Sequence, residues 1–93
     1  MARKRVLNII GGNLRRIRKD IGFTQADVVA RCQLMGWQLS RETLAKIETE
    51  VRRVNDAEVA MLALAVSTDV GKLLASTSDQ RLEIARHSPT CEE

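Results

Sequence analysis

The chain is short of the residues that build aromatic cores, catalytic sites and metal centres. Its 93 residues hold no tyrosine, one phenylalanine (Phe23), one tryptophan (Trp37), one proline (Pro89) and one histidine (His87). Ala, Val, Leu and Ile are plentiful instead, and that balance favours a small all-helical protein. The two cysteines, Cys32 and Cys91, lie far apart without metal-ligand spacing, and Cys32 falls in an apolar helical pattern, so both are read as reduced thiols. The lone histidine sits near the end of the chain. No carboxylate pair or phosphate-cradling glycine loop accompanies it, and the Gly11-Gly12 pair makes no nucleotide motif. An enzyme is not expected, nor is a metal or cofactor. The longest uncharged run, VAMLALAVST over 59–68, is too short to span a bilayer, and the first residues lack the apolar length of a signal peptide. The expectation is one cytoplasmic domain with a single modest core, too small to carry a separate ligand-sensing module.

The formal net charge of +3 conceals an asymmetry. Residues 1–53 carry 12 Lys/Arg against 5 Asp/Glu, whereas residues 54–93 carry 3 against 7. Clustered cations attract phosphates over several ångströms at physiological salt, so the first half suits a polyanionic partner.

Apolar periodicity organises the chain. Leu7, Ile10, Leu14, Ile17 and Ile21 recur at spacings of three and four, which predicts a helix over roughly 8–21 closed by Gly22. Gly11 and Gly12 would lie inside it, implying either fraying or a close neighbour. Thr24 and Asp27 form a capping-box pattern for a second helix with Val28, Cys32 and Met35 inward and Gly36 at its end. Ser40 caps a third helix over about 41–49 in which Leu44 and Ile47 face inward while Arg41, Glu42, Ala45 and Lys46 face outward. Asn55 and Glu58 repeat the capping box for a fourth helix over about 56–66, with Val54 and Val59 at hydrophobic-staple positions. That helix is apolar nearly all round and reads as central. Asp69 caps a last short helix carrying Val70, Leu73 and Leu74, and the pattern thins from Ser76 onward.

The stretches IGGNLRRIRKDIGFTQADVV (10–29), SRETLAKIE (40–48), VNDAEVAMLA (54–63) and DVGKLL (69–74) resemble the Cro/repressor type of helix-turn-helix, the Xre-like family of lambda-repressor-like domains. The likeness covers about residues 9–75. It implies a compact all-α five-helix domain, flanked by a basic arm over 1–8 and a C-terminal tail over 76–93. It implies a sequence-specific DNA-binding transcriptional regulator, expected as a repressor, that inserts the third helix into the major groove of double-stranded DNA as a homodimer. By the same likeness Arg18 and Glu48 form an ion pair orienting that helix, and Gln25 contacts a phosphate. Arg41, Glu42 and Lys46 are the candidates for base edges, with Ser40 and Thr43 nearer the phosphates; Arg52 and Arg53 match a basic loop facing the DNA backbone. Arg3, Lys4 and Arg5 suit a flexible arm, while Arg15 and Arg16 are left between phosphate contacts and plain solvated charges.

One departure from the family pattern lies between Gln25 and Ser40, which stand fifteen residues apart against a usual ten. The second helix and its turn are longer, and Trp37 in that turn is read as filling the gap between helices, with stacking on the DNA backbone as the alternative. For the third helix the competing reading is a solvated face with Glu42 and Lys46 as an i,i+4 ion pair. At the level of function, the alternatives are an antitoxin that represses its own operon and binds a toxin, and a protein-interaction adaptor that does not touch DNA.

Overall fold

The computed structural model describes residues 6–86, and it is all-α, with α1 (Gly11–Asp20), α2 (Gln25–Leu34), α3 (Arg41–Glu48), α4 (Asp56–Ala65), α5 (Val70–Leu74) and α6 (Ser78–Arg86). Five helices fall within 9–75. The sixth occupies part of the expected tail, where Thr77 and Gln80 exchange capping bonds: the Gln80 N–H donates to Thr77 Oγ1 at 3.1 Å and the Thr77 N–H to Gln80 Oε1 at 2.9 Å. This helix has no buried residue, which is why apolar periodicity did not reveal it. The expected arm residues Arg3, Lys4 and Arg5 lie outside the described residues, as do His87 and Cys91.

Sequence signals set the helix starts. Thr24 with Asp27 and Asn55 with Glu58 form complete capping boxes, and Ser40 and Asp69 each accept a backbone N–H from the residue three positions on. The ends of α1 to α4 share one device. After each last turn a residue with positive φ lets two successive N–H groups reach back to the final carbonyls, as in Phe23 N–H to Arg18 O at 3.0 Å and Trp37 N–H to Cys32 O at 2.9 Å. Gly22 and Gly36 fill that position after α1 and α2, whereas Glu50 (φ 67°) and Ser67 (φ 57°) fill it after α3 and α4.

The core is aliphatic. Ile10, Leu14, Val28, Cys32, Leu39, Leu44, Ile47, Val59, Leu62, Ala63, Ala65, Val66 and Leu73 are buried, with Phe23, Trp37 and Val54 packed against them. Each fully buried Leu or Ile contributes about 1.5–3 kcal/mol relative to exposure. Trp37 thus lies against the core in the long turn. Burial pushes the Cys32 thiol above its ordinary pKa, which keeps it protonated and unreactive. Three expectations need correction. Met35 and Ile21 are not inward but about two-fifths exposed, because each sits at or past the cap of its helix, where the chain turns away from the core. Although α4 is apolar nearly all round, it has a solvent side: Leu64 is 62% exposed, so the helix is packed on one face rather than enclosed.

The first helix begins at Gly11, not near residue 8, because Asn8 stops it. The Asn8 side chain is 3% exposed and fully used. Its Oδ1 accepts the Ile10 and Gly11 N–H groups, while its Nδ2 donates to the carbonyls of Ile47 (3.1 Å) and Arg52 (2.8 Å). A stitch between the start of α1 and the end of α3 results, reinforced by Leu7 N–H to Glu50 O at 2.8 Å and Gly12 N–H to the Glu50 carboxylate at 3.3 Å. Close packing, not fraying, accounts for the first glycine. A Cβ on Gly11 would overlap the Ile47 carbonyl oxygen and come within 2.8 Å of Glu50 Cγ, whereas one on Gly12 meets only Glu50 Oε2 at 3.5 Å.

The two adjacent glycines should therefore answer oppositely to the same change. Gly11→Ala should destabilise by about 1–3 kcal/mol, the range for forcing extra volume into a packed site. Gly12→Ala should be neutral or slightly stabilising, since alanine is the better helix former. Denaturant midpoints of the two variants decide it, and equal losses would contradict the close approach at Gly11.

Candidate nucleic-acid interface

The outer face of α3 follows from its inner one. Leu44 and Ile47 are fully buried, so the opposite side of the helix points outward, and Arg41, Glu42 and Lys46 are exposed. Glu42 and Lys46 form no ion pair, and among the described residues the guanidinium of Arg41 and the ammonium of Lys46 have no partner. Ser40 and Thr43 are occupied at the helix start: Ser40 Oγ accepts the Thr43 N–H at 3.0 Å and donates to Thr43 Oγ1 at 2.9 Å. Ser40 is nonetheless exposed and Thr43 half-buried.

Behind this face lies a charged cluster. Arg18 Nε donates to Glu48 Oε2 at 2.7 Å and Nη2 to Oε1 at 3.0 Å, a two-pronged pair whose side chains are 8% and 2% exposed. The remaining prong, Nη1, donates to the Phe23 carbonyl at 2.8 Å, in the turn between α1 and α2. Gln25 completes the cluster, its Nε2 donating to Glu48 Oε1 at 3.1 Å. A carboxylate only accepts, so the amide nitrogen must face it. This modifies the expectation for Gln25: one amide N–H is held by Glu48, and only the second is left for a partner outside the chain.

Arg52 also differs from a free backbone-facing cation. Its guanidinium makes two bonds of 3.1 Å to the Glu58 carboxylate and one to the Arg53 carbonyl, because the turn after α3 brings it beside the capping residue of α4. Hydrogen bonding to Arg52, with help from the Asn55 N–H, holds the Glu58 carboxyl below the ordinary carboxylate range. The same bonds raise the Arg52 guanidinium further. Arg53 is half-buried in the same turn.

Between α1 and α3 runs an open groove of about 750 Å³. Arg15, Arg16 and Lys19 line its α1 wall, Ala45 and Thr49 its α3 wall, and Gln25 from α2 lines it as well. Sequence reasoning left Arg15 undecided and passed over Lys19; the signal that marks the two together is a like-charged i,i+4 pair on one helix with no carboxylate four residues away on that face. Asn8 and Glu50 were also missed, since nothing local in the sequence ties either of them to α3.

Among the described residues no helix is long and apolar enough to cross a membrane, and no group of three or more His, Cys, Asp or Glu could hold a metal ion. Comparison with known proteins finds no matching family model, no matching curated protein and no matching solved structure.

Removing Glu48 strands the buried Arg18 guanidinium. Glu48→Ala should cost about 3–5 kcal/mol, the range for breaking a buried pair, and appear as a lower Tm. Arg18→Met combined with Glu48→Leu should recover part of that loss, since neither charge is then left alone. A parent-like Tm for Glu48→Ala would remove the cluster from the stability of the fold. The Arg52–Glu58 pair predicts a pH effect. Because the folded carboxyl titrates below its unfolded value, the stabilisation is complete above about pH 4.3 and fades as pH falls through the lower folded value. Glu58→Gln keeps the capping acceptor but not the charge, so its denaturant midpoint should decline less steeply than the parent's from about pH 4 downward. Parallel declines would contradict the pairing.

Proposed function

We propose that this protein is a sequence-specific DNA-binding transcriptional regulator, acting as a repressor, whose α3 enters the major groove. The observation that carries the reading is the contrast across α3. Its inner side is fixed by Leu44, Ile47 and the Arg18–Glu48–Gln25 cluster, while its outer side presents Arg41, Glu42 and Lys46 without partners among the described residues. Arg and Lys donate to guanine O6 and N7, and Glu accepts from cytosine N4, so this face holds both halves of a base-reading vocabulary on a rigid mount. Ser40, Thr43, Gln25, Arg52 and Arg53 surround it as positioning contacts to the phosphates, with Arg52 reaching them only in competition with Glu58. The likeness of residues 9–75 to Cro/repressor helix-turn-helix domains supports the same conclusion.

One such domain reads only a few base pairs, so useful specificity calls for a two-fold dimer on a pseudo-palindromic site. We assign the dimer contact to α5, where Leu73 anchors the helix in the core while Val70 and Leu74 stay about two-fifths exposed. A second reading, in which the C-terminal part engages a protein partner such as a toxin, draws on α6, which buries nothing and leaves Leu82 half exposed. Binding to random duplex that weakens with salt separates a DNA-binding protein, with or without such a partner, from an adaptor that ignores DNA.

Selection from a random duplex pool supplies the preferred site. Against it, Arg41→Ala and Lys46→Ala should each lose about 1–3 kcal/mol more affinity than against random duplex. Equal losses on both would make these residues phosphate contacts and move base reading off this face.

A further inference from the structure

We propose that the groove between α1 and α3 is a seat for the phosphodiester backbone of one DNA strand, with Arg15 and Lys19 as its cationic contacts; this rests on the DNA-binding reading above. An α-helix with its side chains is about 10–12 Å across and the major groove about 12 Å wide. A helix filling that groove therefore has a phosphate strand against each flank. One flank of α3 is its Ala45 and Thr49 edge, and the wall opposite that edge is α1 with Arg15, Arg16 and Lys19.

The chemistry of the two walls suits a polyanion. On the α3 side, Ala45 is small and the Thr49 hydroxyl turns back to its own helix, donating to the Ala45 carbonyl at 2.9 Å, so a strand can lie close. On the α1 side, Arg15 and Lys19 are both exposed and neither has a hydrogen bond or ion pair among the described residues. Arg16, by contrast, donates to Asn13 Oδ1 at 2.9 Å. Like charges four apart on a helix repel, and an anion between them relieves the repulsion. Of the carboxylates in the groove only Glu48 is neutralised, by Arg18; Glu50 accepts the Gly12 N–H but keeps its charge, as does Asp20, so the three cations Arg15, Arg16 and Lys19 outnumber two uncompensated acids. Gln25 adds its second amide N–H to the groove, its first being held by Glu48.

Counterion release measures these contacts without knowledge of the binding site. Fluorescence anisotropy on a random 30-base-pair duplex across a salt series should give a log affinity against log salt slope that flattens by about 0.9 per lost phosphate contact. The variant Arg15→Ala with Lys19→Ala should therefore flatten it by about 1.8. Arg86→Ala, which removes an exposed cation on α6, should leave the slope as in the parent. Thermal melts check that the variants stay folded, and Arg15→Gln with Lys19→Gln repeats the measurement with side chains of similar reach. A parent slope in both double variants, while Arg41→Ala and Lys46→Ala still weaken binding, overturns the groove and leaves the α3 reading intact. Equal flattening by Arg86→Ala reduces the effect to net charge and overturns it too. Absence of salt-dependent binding by the parent removes the DNA-binding reading and the groove with it.

Discussion

Three helices are referred to one carboxylate. Glu48 closes α3, and its two oxygens receive Arg18 from α1 and Gln25 from α2, while the spare arm of Arg18 holds the Phe23 carbonyl between those two helices. A buried pair of this kind is weak evidence for net stability, because desolvation offsets much of its attraction. What it supplies is direction. An aliphatic core accepts small rotations of a helix at little cost, whereas a two-pronged guanidinium–carboxylate contact fails once the planes tilt. The angle at which α3 presents its outer face is thus set by hydrogen-bond geometry rather than by the packing of Leu44 and Ile47 alone.

The same principle recurs at the helix ends. A helix leaves its last carbonyls unsatisfied, and here neighbouring helices fill some of that need with side chains. Asn8 serves the Ile47 and Arg52 carbonyls, Asn13 those of Leu73 and Ala75, and Arg31 that of Ala65 at 2.7 Å while its guanidinium stacks 5.2 Å from the Phe23 ring. These polar residues act as joints between helices.

Local order was legible in the sequence. The caps at Thr24, Ser40, Asn55 and Asp69 and the turns at Gly22 and Gly36 are written in residues whose preferences act within four positions. The buried pair in α3 followed from its spacing. Less visible were features whose cause lies far along the chain. Nothing near Glu50 or Ser67 announces positive φ, since neither is a glycine; the conformation is imposed by the way α3 and α4 must end. Asn8 looks like an ordinary polar residue until the end of α3 is placed beside it. Arg52 in isolation reads as a free cation, and only the capping role of Glu58 puts a carboxylate within its reach. Of the candidate site, the exposed face of α3 followed from periodicity, whereas the groove beside it needed the packing of α1 on α3.

The stitch made by Asn8 also constrains how the chain reaches this state. Its two side-chain bonds span separations of 39 and 44 residues, so they close a loop that contains the whole of α1, α2 and α3. Closing a loop of that size costs entropy that grows as the logarithm of its length, and no short-range contact repays it. The capped helices α2 and α4 can begin locally, but the seam between the start of α1 and the end of α3 waits for both to arrive. On a ribosome the first ten residues emerge long before Arg52 does, and their buried asparagine has only water for a partner until then. The outward face of α3 is thus tied to the chain's opening residues: the bonds that hold the end of α3 to the start of α1 need both ends of that loop in place.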